Sequence, residues 1–117
     1  AYRVHYVITS ATVAANTETV KFTVAAAAIS GSTAAVPDLL STALGTAVTV
    51  TDTYATAYLP SQYGMVSTSW SAAVTPANTL SANKILLMNL KRDVTDTYAQ
   101  SVGVFVLEIK FSRNLAP

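Results

Sequence analysis

The sequence predicts an all-β, mostly antiparallel fold: a small β-sandwich or barrel of about six or seven strands with one short helix near 37–44. Three observations lead to it. Runs of strand length with period-2 alternation recur from one end of the chain to the other. Those runs are rich in Val, Thr and Tyr, residues suited to a pleated, half-buried surface. Only one stretch carries the punctuation of a helix.

Residues 2–9 alternate cleanly, with Val4, Tyr6 and Ile8 on one face and Arg3, His5, Val7 and Thr9 on the other. Residues 19–24 resume the pattern with Val20, Phe22 and Val24 inward, and a hairpin turn near Asn16 is expected to join the two runs. Pro37 suits a first helical turn, Asp38 complements the dipole there, and Leu39, Leu40, Ala43 and Leu44 form an apolar side before Gly45 ends it. A helix of that length needs a sheet to lie against. Alternation returns over 47–58 and ends at Pro60; residues 65–74 then place Val66, Thr68, Trp70, Ala72 and Val74 together. Residues 85–90 are apolar on both faces and fit a helix as well; the turn-rich segment and clear strand that follow favour a central strand. The strongest pattern covers 102–111, with Phe105, Leu107, Ile109 and Phe111 expected in the main core and Val104, Val106, Glu108 and Lys110 on the other face. At 117 residues the chain reads as a single β domain, 1–117. Its terminal strands are expected at sheet edges, where strands pair readily with a neighbouring subunit.

Composition narrows the function. Cysteine is absent, so disulfides, thiolate metal sites and a cysteine nucleophile are excluded. The net charge of +1, with Lys91-Arg92 as the one adjacent basic pair, supplies no footprint for nucleic acid. Hydrophobic residues make up 51% of the chain, yet no apolar run approaches the roughly 20 residues of a membrane helix. Charged residues reach only 11%, against about 25% in ordinary soluble domains. Between residues 22 and 83 the charged side chains are Asp38 and Asp52 alone. A surface of Thr, Ser and Ala costs little to dehydrate, because no ion is stripped of water. Burial of that surface between subunits is the expected use.

The residues for chemistry are sparse. His5, the sole histidine, lies in an alternating strand beside Arg3, and no serine has the glycine-flanked setting of a nucleophile elbow. The six carboxylates sit mostly beside turns, Asp93 and Asp96 next to Lys91-Arg92 read as a solvated turn, and the four glycines form no phosphate loop. No catalytic residue, metal ligand or cofactor site is assigned. One hexapeptide recurs letter for letter, Val50-Thr51-Asp52-Thr53-Tyr54-Ala55 and Val94-Thr95-Asp96-Thr97-Tyr98-Ala99. It reads as a repeated turn or strand end in which Asp caps backbone N–H groups and Tyr packs, or as a pair of equivalent contact points. Trp70, Tyr54, Tyr58 and Tyr63 offer a second motif, an aromatic platform for a sugar ring, set against Trp70 as a core or interface anchor.

In overall texture the chain resembles small virion proteins, such as phage coat or capsid-cement subunits, and is similar to β-rich subunits of extracellular filaments that donate a terminal strand. The likeness covers the whole chain and rests on no motif. It implies a non-enzymatic, self-assembling structural subunit of a virion; a filament or pilus subunit at the cell surface, and a carbohydrate-binding module, are the alternatives. Ala1 fits removal of an initiator Met or cleavage of a leader; the virion reading leads because residues 1–15 show no leader-like apolar stretch or donor extension and simple Met removal suffices. The expected partners are copies of the chain and a second structural protein of the same particle, with neither nucleic acid nor membrane insertion. Contacts are expected at Val4, His5, Tyr6, Ile8, Tyr54, Tyr58, Trp70 and Tyr98.

Overall fold

The computed structural model describes residues 1–30 and 42–111. It is all-β: β1 (Tyr2–Ile8), β2 (Thr19–Ser30), β3 (Val48–Thr53), β4 (Met65–Ser67), β5 (Lys84–Arg92) and β6 (Val102–Ile109), with a single turn of 3-10 helix at Thr56–Tyr58. The strands form two antiparallel three-stranded sheets, ordered β4-β1-β6 and β3-β2-β5, which pack as a small sandwich. The helix expected near 37–44 falls mainly on 31–41, outside the described residues, and Thr42, Ala43 and Leu44 carry no helix. Gly45 has a different role from the helix stop it resembled. Its N–H donates to the Ala26 carbonyl at 2.8 Å, and a side chain there would collide with the backbone of Thr75.

Alternation dictates the core. Tyr2, Val4, Tyr6 and Ile8 project from β1 onto Val20, Phe22 and Val24 of β2, and Val50, Tyr54 and Tyr98 complete the cluster. Residues 2–9 and 19–24 were expected to pair as a hairpin. They are instead the middle strands of opposite sheets, and residues 9–18 cross between them. The reason is that both strands bury their apolar face fully: two such faces satisfy each other by stacking across the sandwich, which side-by-side pairing in one sheet does not achieve. For the same reason β1 lies at the centre of its sheet rather than at an edge, with β4 on one side and β6 on the other.

Beyond β4 the chain still follows β1: the Thr68 and Ser71 N–H groups donate to the Val4 and Tyr2 carbonyls, while side chains replace the backbone acceptors of the return bonds. Thr68 Oγ1 accepts the Val4 N–H at 3.0 Å and Ser71 Oγ accepts the Tyr2 N–H at 2.9 Å. The extended pattern over 65–74 therefore yields only three residues of regular strand. The strand expected from 85–90 forms, but it lies at the edge of its sheet and not at the centre, leaving Ile85 56% and Leu86 36% exposed.

The core face expected for β6 is also corrected. His5 opposes Val106 while Tyr6 opposes Val104, so Phe105 is an extra residue in β6, a bulge. A bulge interrupts the period of two. Val102, Val104, Leu107 and Ile109 oppose the inward residues Ile8, Tyr6, Val4 and Tyr2. Leu107 and Val102 pack on the core, whereas Phe105, Ile109 and Phe111 are 52%, 42% and 80% exposed.

Candidate functional site

Two of the expected contact groups turn inward. Val4, Tyr6 and Ile8 are buried in the core of the chain itself, as are Tyr54 and Tyr98. The hexapeptide repeat has a structural meaning that its letters did not disclose. Its two copies flank the entry to β2: the Tyr54 N–H donates to the Glu18 carbonyl at 2.9 Å, and the Tyr98 N–H to the Thr19 carbonyl at 3.0 Å. The two tyrosine rings meet edge to face, 6.0 Å apart and 80° between planes, a favoured aromatic geometry. The aspartates diverge. Asp52 Oδ2 accepts the Tyr6 hydroxyl at 2.6 Å, while Asp96 Oδ2 accepts Arg92 Nε at 2.6 Å. The turn cap in the second copy comes from Asp93, which lies just before it and accepts the Thr95 N–H at 2.9 Å.

Since Tyr6 donates its proton to Asp52, Tyr54 donates to Tyr6 across 2.8 Å. Burial pushes the Tyr54 hydroxyl up to about 12, and burial foremost raises Tyr6 further. Burial also lifts the Asp52 carboxyl above its ordinary value, with the Tyr6 hydrogen bond pulling the other way. This polar chain braces the two sheets at the β2 entry. Among the described residues no buried side-chain polar atom lacks a partner.

His5 and Trp70 remain near the surface. His5 stands on the outer face of the β4-β1-β6 sheet, with Nδ1 2.7 Å from Ser67 Oγ and Nε2 2.9 Å from Glu108 Oε1. Arg3 Nε donates to the same carboxylate oxygen at 2.7 Å, and together Arg3 and His5 hold the Glu108 carboxyl below its usual value. Serine, imidazole and carboxylate in line is the order of a hydrolytic triad, which the sequence spacing of Ser67 and Glu108 could not reveal. Ser67 of β4 lies opposite His5 in a cross-strand pair, and β1 is engaged in ladders on both sides. Among the described residues no cluster of three metal-ligating side chains forms.

Trp70 does not join the other aromatics in a platform. The Arg3 guanidinium lies 4.7 Å from its ring centre and Lys110 Nζ 5.7 Å, while Tyr54 is buried against Tyr98. Trp70 instead borders an open apolar groove of about 540 Å³, lined among others by Ala26, Leu86, Met88 and Ile109. The alanines of β2 explain this space, because Ala26 follows the bulky Phe22 and Val24 on the same inward face and does not fill it. Of Tyr58 only the backbone placement in the 3-10 turn is described.

The remaining surface feature is apolar. On the outer face beside His5, Phe105 is 52%, Val106 42% and Met65 67% exposed, and the Phe105 ring lies 6.3 Å from the His5 ring. Val7 links them, opposing Met65 on one side and Gly103 on the other. Comparison with known protein families, curated proteins and solved structures finds no match to the chain.

Proposed function

We propose that this chain is a non-enzymatic structural subunit that assembles with copies of itself, in a virion shell as a coat or cement protein. The observation that carries the reading is the apolar strip of exposed Met65, Phe105 and Val106, joined by half-buried Val7, on a chain with so few charges. An apolar strip bordered by a free strand edge is a feature of surfaces that meet another protein. The shell reading is favoured over a filament built by exchange of the N-terminal strand. Donating β1 would remove Tyr2, Val4, Tyr6 and Ile8 from the core of the donor. The test is negative-stain microscopy of the full chain at micromolar concentration. Closed shells, or decoration of a preformed shell, support the reading; dispersed particles of monomer size overturn it.

The Ser67–His5–Glu108 line favours a second reading, hydrolysis through a serine nucleophile. With Ser67 and Glu108 on the two strands that flank β1, the arrangement serves better as a cross-strand polar network. A fluorophosphonate probe distinguishes the two, since labelling of Ser67 would establish an activated hydroxyl and no labelling is expected.

A further inference from the structure

We propose that the outer edge of β6 pairs antiparallel with the same edge of a second copy, joining two three-stranded sheets into one six-stranded sheet across a two-fold axis at the Phe105–Val106 bulge. This rests on the assembly reading and names its surface. Among the described residues β6 is hydrogen-bonded on one side only, by β1. Its other side presents backbone donors and acceptors that another extended strand satisfies.

Four strand edges are free of a partner among the described residues, and chemistry separates them. β4 is three residues long. β3 is short and carries Thr49, Thr51 and Thr53 on its outer face, with no apolar residue to bury there. β5 has the length, but Lys84 stands at one end and Lys91 and Arg92 at the other. Antiparallel self-pairing of β5 would set cation against cation, and like charges directly opposite destabilise a sheet. β6 has neither defect. From Val102 to Leu107 it is uncharged, and Val104, Phe105 and Val106 are 42%, 52% and 42% exposed.

Charge also fixes the direction. Parallel pairing in register would place Glu108 against Glu108. Antiparallel pairing about the Phe105–Val106 bulge carries the two Glu108 side chains to opposite ends, each still held by its own Arg3 and His5. The faces then match, because Val104 opposes Leu107 on the inward side and Phe105 opposes Val106 on the outer side. Phe105 and Val106 of both copies flank the axis, where they close the apolar strip of both copies. An isologous contact of this kind closes on itself and forms a dimer, the unit from which a larger shell is built.

The chain has no cysteine, so a single introduced thiol is an unambiguous probe. In Phe105→Cys the thiols of two copies meet near the axis, within the roughly 4.4–6.8 Å Cα separation a disulfide accepts. Mild oxidation of the full chain should convert most of it to covalent dimer, while Val94→Cys, 95% exposed on the turn after β5, stays at background. Phe105→Lys places two cations at the axis and should weaken dimerisation about tenfold or more, with the circular dichroism spectrum unchanged. Should Phe105→Lys fail to fold, the crosslinking pair decides alone. Assembly of the parent with no Phe105→Cys dimer above the Val94→Cys level overturns the β6 contact and leaves the assembly reading standing. A parent chain that stays monomeric overturns both.

Discussion

The Asp52 carboxyl lies between Tyr6 and solvent at the β2 entry, and burial raises its pKa above the ordinary value of 3.8. The sign of its effect on stability follows from linkage. Between the unfolded and the raised folded value the native state holds a proton that the unfolded chain has lost. Stability from this group is therefore complete below the unfolded value and is lost as pH rises through the folded one. Glu108 acts in the opposite sense, because Arg3 and His5 lower its pKa and its contribution is lost as pH falls. Asp52→Asn retains an oxygen to accept the Tyr6 hydroxyl but cannot ionise. The variant should gain melting temperature relative to the parent as pH goes from 4 to 7; a difference that stays constant across that range would contradict the assignment. At this scale the sequence displayed the repeated hexapeptide, but not that Tyr54 and Tyr98 meet face to edge, since no local pattern says which strand lies between two copies. Ser67, His5 and Glu108 were equally hidden. Their approach depends on β1 having β4 on one side and β6 on the other.

The elements show where local pattern suffices and where it does not. The period-2 run of β1 was read with the correct inward face, Val4, Tyr6 and Ile8, because full burial of one face leaves a plain alternation. Its partners were misjudged, since alternation identifies a buried face and not the strand beside it. With Tyr2, Val4, Tyr6 and Ile8 all buried, removing residues 1–8 should abolish the cooperative melt; a truncated chain that still folds would show that the core does not depend on β1. In β6 the single extra residue at Phe105 shifts the faces on one side of it: Val102 and Val104 lie inward together with the expected Leu107, while Phe105 turns outward. Apolar residues stand on both sides of the strand, so nothing in the sequence marks the bulge. The corrected assignment is testable by a pair of truncations. Leu107→Ala should cost about 2–3 kcal/mol, as for a partly buried leucine. Phe105→Ala, measured at a concentration where the chain is dispersed, should cost below about 1 kcal/mol, because the ring is half exposed. A larger loss for Phe105 than for Leu107 would return Phe105 to the core.

For the molecule as a whole, fold class was legible because Val- and Thr-rich alternation recurs along the chain, and two antiparallel sheets are the way such segments cover one another. The scarcity of charge was legible too, but not where the uncovered apolar residues gather. That follows from the bulge in β6 and from the edge positions of β4 and β5. Together they leave Ile85, Phe105, Val106 and Met65 in water on a chain with few ions to keep copies apart. Sedimentation velocity of the full chain across a concentration series reads self-association. The expected boundary moves from dimer to a defined larger species as concentration rises through the micromolar range. A single boundary at the monomer mass of 12.2 kDa, unchanged up to the highest soluble concentration, would contradict it.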